Sequence, residues 1–231
     1  MSRESPDLVI FPGAGSFGGE LQPLLRELAP SARLARYPGR VGKDFGTAAG
    51  SFGEVVRSCT GQVRRRQPVR PVLVGHSFGA YVAYATAARL EELGAEVSAV
   101  VVVGATAPAL LAVPGSATRS RSDTAAYLEA IEPGLVCGEA AGEWRNIIVD
   151  TALQDLTLLA GFCPEDYGAV RCPVLAARGE ADPLTSNEGL DEWAGVTLGG
   201  CCRRIFPGGH SDLLRLPEFA SWLREASVTA S

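Results

Sequence analysis

Short apolar runs alternate along this chain with longer segments in which apolar residues recur at helical spacing. A run that is apolar nearly throughout, such as residues 8–11, indicates a strand covered on both faces of a sheet. The predicted strands are residues 7–11, 32–37, 71–74, 96–103, 173–178 and 201–206, and the predicted helices are 19–29, 51–66, 81–94, 124–131, 143–160 and 213–223. Because strands and helices alternate, the pattern predicts an α/β fold with a mostly parallel sheet between two layers of helices.

The interval between the fourth and fifth predicted strands is longer than one crossover helix needs. Residues 106–169 begin with Pro108, Pro114 and a stretch rich in Ser, Thr and Arg, and these lead to two helical patterns. We interpret this segment as a helical lid inserted over a site, since lids gate access and exclude water. An ordinary but long helical crossover is the alternative. The chain of 231 residues fits one domain, 1–231, with no linker inside it.

One strand-to-helix junction carries the motif Gly75-His76-Ser77-Phe78-Gly79. Gly-X-Ser-X-Gly between a buried strand and a helix is typical of a nucleophile elbow, whose strained turn exposes the serine. The glycines let strand and helix pack closely, and the N-terminus of the helix favours an oxyanion. We therefore predict that Ser77 is a nucleophile. A glycine-rich turn in an unrelated α/β protein is the alternative.

The glycine-rich loop after the first strand, residues 12–19, allows two interpretations. The spacing Gly13-X-Gly15-X-X-Gly18 matches a dinucleotide fingerprint, but no acidic residue ends a clear second strand at the required spacing. We favour a loop that gives one backbone N–H to an oxyanion hole. Ala14 is the predicted donor, and the amide of Phe78 is the second. No cofactor is expected.

A serine nucleophile needs a base, and this chain has only two histidines. His76 adjoins Ser77, so its side chain must point away from the hydroxyl and pack or hydrogen-bond behind the turn. His210 follows the last strand, at the carboxyl edge of the sheet where Ser77 also lies, and it is the predicted base by elimination.

The acid that orients the base must lie between the serine and the histidine in the chain order of this kind of fold. Asp182 follows the fifth strand on a tight turn at the same sheet edge, and we favour it. Its rivals are Glu180, nearer the strand, and Asp155 and Asp191, which fall in helical patterns. Asp212 follows the histidine and is expected to start a helix.

Composition excludes several classes of function. A net charge of -5 gives no reason to expect nucleic-acid binding, which requires a basic face. No apolar run approaches membrane-spanning length and the N-terminus has no signal region, so we expect a cytoplasmic protein without a membrane partner. The cysteines form no C-X-X-C pair and the histidines are too few for a zinc site, so free thiols and no metal are predicted. The cysteines are Cys59, Cys137, Cys163, Cys172, Cys201 and Cys202.

Five stretches resemble the type II thioesterases that accompany polyketide and nonribosomal peptide synthetases, a branch of the α/β-hydrolases. The stretches are Phe11–Gly15, Tyr37–Arg40, Gly75–Ala80, Gly179–Asp182 and Gly208–His210, in the family's order and at comparable spacing. The Tyr-Pro-Gly-Arg element is the most discriminating, because general esterases do not share it. One departure is Ser16, which stands where the family usually has a second glycine.

The resemblance implies an α/β-hydrolase fold, a triad of Ser77, Asp182 and His210, and a lid from about 106 to 169. It implies hydrolysis of acyl thioesters on the phosphopantetheine arm of an acyl- or peptidyl-carrier protein, with editing as the usual role. We expect a monomer. Because the chain is itself acidic, carrier docking must use a local basic patch or apolar contacts.

Several alternatives stay open at this point. A small-molecule carboxylesterase or acyltransferase would use the same triad, and a catalytically silent binding protein could keep the scaffold. The run 64–66, three arginines, either complements the dipole of its helix or forms part of a docking patch. The apolar residues of the predicted lid are either walls of an acyl pocket or core; they include Leu128, Ile131, Leu153 and Leu156.

Overall fold

The computed structural model describes residues 7–133 and 142–229, with side chains as far as residue 226. Within these ranges the strands are β1 Leu8–Phe11, β2 Ala32–Leu34, β3 Val72–His76, β4 Ala99–Val103, β5 Val174–Gly179 and β6 Cys201–Phe206. The α-helices are α1 Gln22–Glu27, α2 Phe52–Arg66, α3 Phe78–Glu92, α4 Arg121–Ile131, α5 Glu143–Ala160, α6 Asn187–Asp191 and α7 Pro217–Thr229.

The strands form one sheet in the order β2-β1-β3-β4-β5-β6, and every neighbouring pair is parallel. The predicted fold class is confirmed. The chain builds outward from β1 to β2, returns to place β3 on the other side of β1, and then proceeds to β6. Ligands of open parallel sheets bind at such a reversal, beside the carboxyl ends of the strands. The loops that follow β1 and β3 therefore flank the expected binding crevice.

Helices cover both faces of the sheet, which explains why its central strands are apolar throughout. All residues of β4 are fully buried. Val100 and Val102 belong to an apolar cluster shared with α2 and α3, whereas Val101 and Val103 belong to a second cluster shared with α1 and α7. Successive side chains alternate between the two faces, as strand geometry requires.

The segment predicted as an insertion, 106–169, contains α4 and α5 between β4 and β5. Helix α5 has the predicted bounds, and α4 begins earlier than the apolar pattern indicates. Ser120 sets this earlier start, because its side chain accepts a hydrogen bond from the Asp123 amide as an N-cap. Residues 134–141, which include Cys137, lie outside the described residues; the other five cysteines are free thiols.

The final helix begins later than its apolar pattern predicts. Asp212–Arg215 form a separate 3-10 turn, and α7 begins at Pro217. Proline disfavours a helical conformation at the preceding residue but suits the first position of a helix, so the break falls between Leu216 and Pro217. Leu213 and Leu214 are buried against the sheet all the same.

Among the described residues, no helix combines the length and the apolar character needed to span a bilayer.

Candidate active site

Ser77 lies in the turn that joins β3 to α3, and its backbone has φ 53° and ψ -121°. L-residues rarely adopt a positive φ, because the side chain then crowds the backbone. Hydrogen bonds on both sides hold the turn: the Ser77 amide donates to the Val103 carbonyl at 2.8 Å, and the Ala80 amide donates to the Ser77 carbonyl at 2.9 Å. The local geometry is that of a nucleophile elbow.

The two glycines of the motif are required by close packing. A β-carbon on Gly75 would lie 2.2 Å from the Gly79 carbonyl oxygen, and one on Gly79 would lie 2.2 Å from the Phe11 carbonyl oxygen. Both distances are far shorter than van der Waals contact. The absence of side chains at these positions therefore lets α3 approach the ends of β1 and β3.

Asp182 and His210 lie together at the carboxyl edge of the sheet and are both buried. The His210 Nδ1 atom is 3.0 Å from Asp182 Oδ1 and 3.1 Å from Oδ2. The carboxylate also accepts hydrogen bonds from the Leu184 amide at 2.9 Å and from the Thr185 hydroxyl at 3.0 Å. Burial by itself would raise the pKa of Asp182, but the bonds from His210, Leu184 and Thr185 outweigh it and lower that pKa.

One cavity of about 860 Å³ brings the remaining candidates together. Ser77, Phe78, Ala14 and His210 all line it. Within the described residues, no hydrogen bond joins the Ser77 hydroxyl to the His210 imidazole, although both groups face the same space. Apolar side chains from the segment between β4 and β5 form much of the remaining wall; they include Leu110, Leu111, Val113, Leu128, Ile131 and Leu156. Leu153, the fourth apolar residue singled out in the predicted lid, is not among the lining residues.

Two backbone amides at this cavity are available as hydrogen-bond donors. In the described part of the chain, neither the Ala14 amide nor the Phe78 amide donates to a protein acceptor. Ala14 belongs to the loop after β1, and Phe78 is the first residue of α3. Unpartnered amides at the N-terminus of a helix and in an adjacent loop are suited to an oxyanion.

His76 lies beside His210, with 4.8 Å between the two ring centroids, and it lines the same cavity. Its Nε2 atom is 3.3 Å from the His210 carbonyl oxygen and 3.5 Å from the Ser211 hydroxyl. The Ser211 hydroxyl in turn donates to the Glu132 carboxylate. Burial, reinforced by the neighbouring His210, lowers the pKa of His76 to about 3. With this lowered pKa, His76 is neutral at pH 7.

The rival carboxylates of the sequence lie elsewhere. Glu180 and Asp191 are exposed, and Asp191 pairs with Arg203. Asp212 begins a 3-10 turn and accepts a hydrogen bond from the Gly209 amide at 2.7 Å. Asp155 is buried but contacts a loop rather than a histidine.

A family model described as Thioesterase domain matches residues 6–226 of the chain. The chain belongs to this family. The thioesterase resemblance drawn from the sequence is thereby confirmed.

Two curated proteins illustrate the similarity of this thioesterase-family chain to known relatives. The probable cadicidin biosynthesis thioesterase of Streptomyces griseus is 29% identical over 88% of the chain, which spans only 57% of that relative's length. Thioesterase TesA of Mycobacterium marinum is 28% identical over 94% of the chain and 89% of its own length.

A solved structure shares the fold of this thioesterase-family chain. The type II thioesterase BorB from the borrelidin biosynthetic cluster superposes with a TM-score of 0.83 at 24% identity. The alignment covers 97% of the chain and 94% of BorB.

The Tyr-Pro-Gly-Arg element has a structural partner that the sequence did not reveal. Arg40, which is buried, forms an ion pair with Asp155 of α5 at 2.5 Å. Burial raises the pKa of Asp155, against the opposing effects of Arg40 and the Gly15 amide. No local signal links two residues that are 115 positions apart.

The run 64–66 closes α2, as the helical pattern predicts, and its arginines are exposed. Helix α2 leads into the amino end of β3, whereas Ser77 follows the carboxyl end of that strand. The arginines therefore lie at the sheet edge opposite the cavity, which favours their interpretation as helix-end charges.

Proposed function

We propose that this chain is a serine thioesterase that releases acyl groups from the phosphopantetheine arm of acyl- or peptidyl-carrier proteins. Ser77 is the nucleophile, His210 the general base and acid, and Asp182 the residue that orients the imidazole. The observation that carries the proposal is the buried hydrogen bond between Asp182 and His210 beside the cavity that Ser77 lines. Membership of the thioesterase family supports the choice of a thioester as the bond attacked.

The first half of the reaction forms an acyl-serine. The Ser77 hydroxyl attacks the thioester carbonyl carbon while His210 Nε2 takes its proton, and Asp182 stabilises the resulting imidazolium through Nδ1. The backbone amides of Ala14 and Phe78 donate to the carbonyl oxygen as it becomes negative. When the tetrahedral intermediate collapses, the C–S bond breaks and the phosphopantetheine sulfur takes the proton from His210.

The second half repeats these steps with water as the nucleophile. His210 takes a proton from the water molecule as the water attacks the acyl-serine, and it returns that proton to the Ser77 oxygen. The products are a free carboxylic acid and a carrier protein with a free thiol. No cofactor is needed at any step.

The cavity supports an acyl substrate. Its lining is largely apolar beyond the reacting groups, and α4 and α5 supply much of that lining. We infer that segment 106–169 acts as a lid in a single domain of 1–231, which encloses the acyl chain and gates access to the acyl-serine. The protein would act as a cytoplasmic monomer in trans on the carrier. The relatives named after biosynthetic clusters support an editing or release role in such a pathway.

A panel of carrier proteins loaded with acyl groups of different length tests the proposal. Intact mass spectrometry should show that wild type strips the acyl groups, short ones at least as fast as long ones, and that Ser77→Ala does not. A higher kcat/KM for simple esters than for acyl-carrier thioesters would favour the carboxylesterase alternative. Folded wild type that a fluorophosphonate fails to label at Ser77 would instead indicate a silent binding protein.

A further inference from the structure

We propose that Arg40 and Asp155 are positioning residues, which hold the loop after β1 against α5 so that the Ala14 amide faces the oxyanion. The inference rests on the proposed function, in which Ala14 supplies one of the two oxyanion donors. Neither side chain touches the substrate. Both act through the loop backbone, Asp155 at the Gly15 amide and Arg40 at the Ser16 carbonyl.

The contacts of the pair fix this short piece of backbone from two directions. Asp155 Oδ2 accepts a hydrogen bond from the Gly15 amide at 2.8 Å and from Arg40 Nη2 at 2.5 Å. Arg40 Nη1 donates to the Ser16 carbonyl oxygen at 2.8 Å. The Gly15 amide, which follows Ala14, therefore donates to Asp155, and this hydrogen bond determines the orientation of the chain at Ala14.

Close packing joins the same loop to α5 independently of the ion pair. A β-carbon on Gly15 would lie 2.8 Å from the Ala152 β-carbon and 2.9 Å from the Ile148 carbonyl oxygen. Gly15 also has a φ of 73°, which favours glycine. The loop backbone therefore rests directly on the helix, and a small rotation of α5 would displace it.

Aromatic contacts anchor the other side of the pair. The Arg40 guanidinium carbon lies 5.1 Å from the ring centre of Phe17 and 5.5 Å from that of Tyr37. The Tyr37 hydroxyl donates to the Pro12 carbonyl oxygen at 2.9 Å, at the start of the same loop. The Tyr-Pro-Gly-Arg element thus contacts the loop at Pro12 and at Ser16, on either side of Ala14.

Electrostatics favours a positioning role over a purely stabilising one. A buried ion pair contributes little net stability, because desolvation offsets the attraction of the charges. An unpaired carboxylate this near an oxyanion donor would also repel the developing negative charge. Arg40 neutralises that carboxylate while leaving it able to bind the Gly15 amide. Ile148 and Leu156 of α5 line the cavity, so an acyl group there contacts the helix that holds the loop.

Asp155→Asn is the test variant, and Asp150→Asn is its matched control. Asp150 lies on the same helix and pairs with exposed Arg121, away from the loop. We expect Asp155→Asn to lower kcat by about tenfold to a hundredfold, less than the loss of a whole oxyanion donor. KM should stay within about twofold. The control should keep wild-type values for both.

Two pantetheine analogues distinguish a misplaced oxyanion donor from a general disturbance of the cavity. A trifluoromethyl ketone forms a hemiketal oxyanion with Ser77, whereas a thioether analogue fills the cavity without one. Asp155→Asn should weaken binding of the ketone by the same factor by which it lowers kcat, and it should leave the affinity for the thioether unchanged. The proposal would be overturned if the variant bound both analogues equally more weakly, or if it bound both as tightly as wild type does. Arg40→Lys provides a second variant, with the same expected pattern, in case Asp155→Asn does not fold.

Hydrogen exchange gives a readout that does not depend on activity. The amides of residues 13–18 should exchange faster in Asp155→Asn than in wild type or Asp150→Asn. Unchanged exchange rates for these amides would contradict the positioning role even if kcat falls. If wild type hydrolyses no acyl thioester, the proposed function fails, and the exchange comparison still decides whether the pair holds the loop.

Discussion

A β-carbon on Gly104 would lie 2.9 Å from Cε1 of the His210 imidazole and 3.0 Å from its Nδ1. Gly104 follows β4 with a φ of 61°, and its amide donates to the Ala177 carbonyl at 2.9 Å. That hydrogen bond keeps the backbone from moving away. The missing side chain at residue 104 therefore makes room for the imidazole in the orientation in which Asp182 binds it.

Gly104→Ala should displace His210 and lower kcat/KM at least about tenfold, since small misplacements of a catalytic group are costly. Gly94→Ala is a matched control, because Gly94 also has a positive φ of 79° but no other atom within 4 Å of its β-carbon position. Both variants should lose about 1–2 kcal/mol of stability from backbone strain. Measurement of kcat/KM beside urea unfolding separates the two effects. Equal activity in the two variants would contradict the role of residue 104.

Asp182→Asn should reduce kcat by about four orders of magnitude, because an amide favours the wrong imidazole tautomer. Because the pKa of Asp182 is lowered, its carboxylate stays charged in wild type at neutral pH. The stability that this charged carboxylate contributes is lost only as the pH falls below the ordinary aspartate range. Glu180→Gln is the control, since Glu180 is exposed and nearby in sequence. Steady-state kinetics of both variants on the same thioester shows which of the two carboxylates is needed for activity. A severe loss in Glu180→Gln would reassign the acid.

His76→Gln should change the pH dependence of stability. The pKa of His76 is lowered from 6.5 to about 3. Between these values the unfolded chain binds a proton that the folded chain does not, so acidification favours unfolding. This loss of stability is at most about 1.4 kcal/mol per pH unit. Urea unfolding from pH 7 to pH 4 should give a shallower decline in stability for His76→Gln than for wild type. Parallel declines would show that folding does not lower the pKa of His76.

Leu156→Phe should shift acyl preference toward short chains. Leu156 lines the cavity and is buried, so a larger side chain takes up space that a long acyl group needs. Leu153→Phe is the control, because Leu153 is on the same helix, half-buried and outside the lining. The ratio of rates for long and short acyl-carrier thioesters should fall several-fold only in Leu156→Phe. A similar fall in Leu153→Phe would mean that α5 as a whole is disturbed.

The sequence predicted best where a local rule dictates the backbone. Gly-X-Ser-X-Gly identifies the turn at Ser77, and the ends of β5 and β6 bring Asp182 and His210 to one sheet edge because parallel strands end together. These are consequences of strand order and turn chemistry. Both can be recognised without knowledge of side-chain packing.

Contacts between distant segments were beyond such rules. Asp155 was one of four candidates for the catalytic acid, and only the structure shows that it binds Arg40 and the Gly15 amide. The close approach of Gly104 to His210 also joins distant segments. The sequence does not predict it, because a glycine after a strand can serve many purposes. The start of the last helix was misplaced because buried leucines follow the same pattern in a 3-10 turn.

The site draws on strands from nearly the whole chain, from Ala14 after β1 to His210 after β6. The edge strand β6 must therefore join the sheet before the imidazole can meet Asp182. During translation, Asp182 therefore leaves the ribosome before His210, and the hydrogen bond between them forms only once β6 has been synthesised and has joined β5.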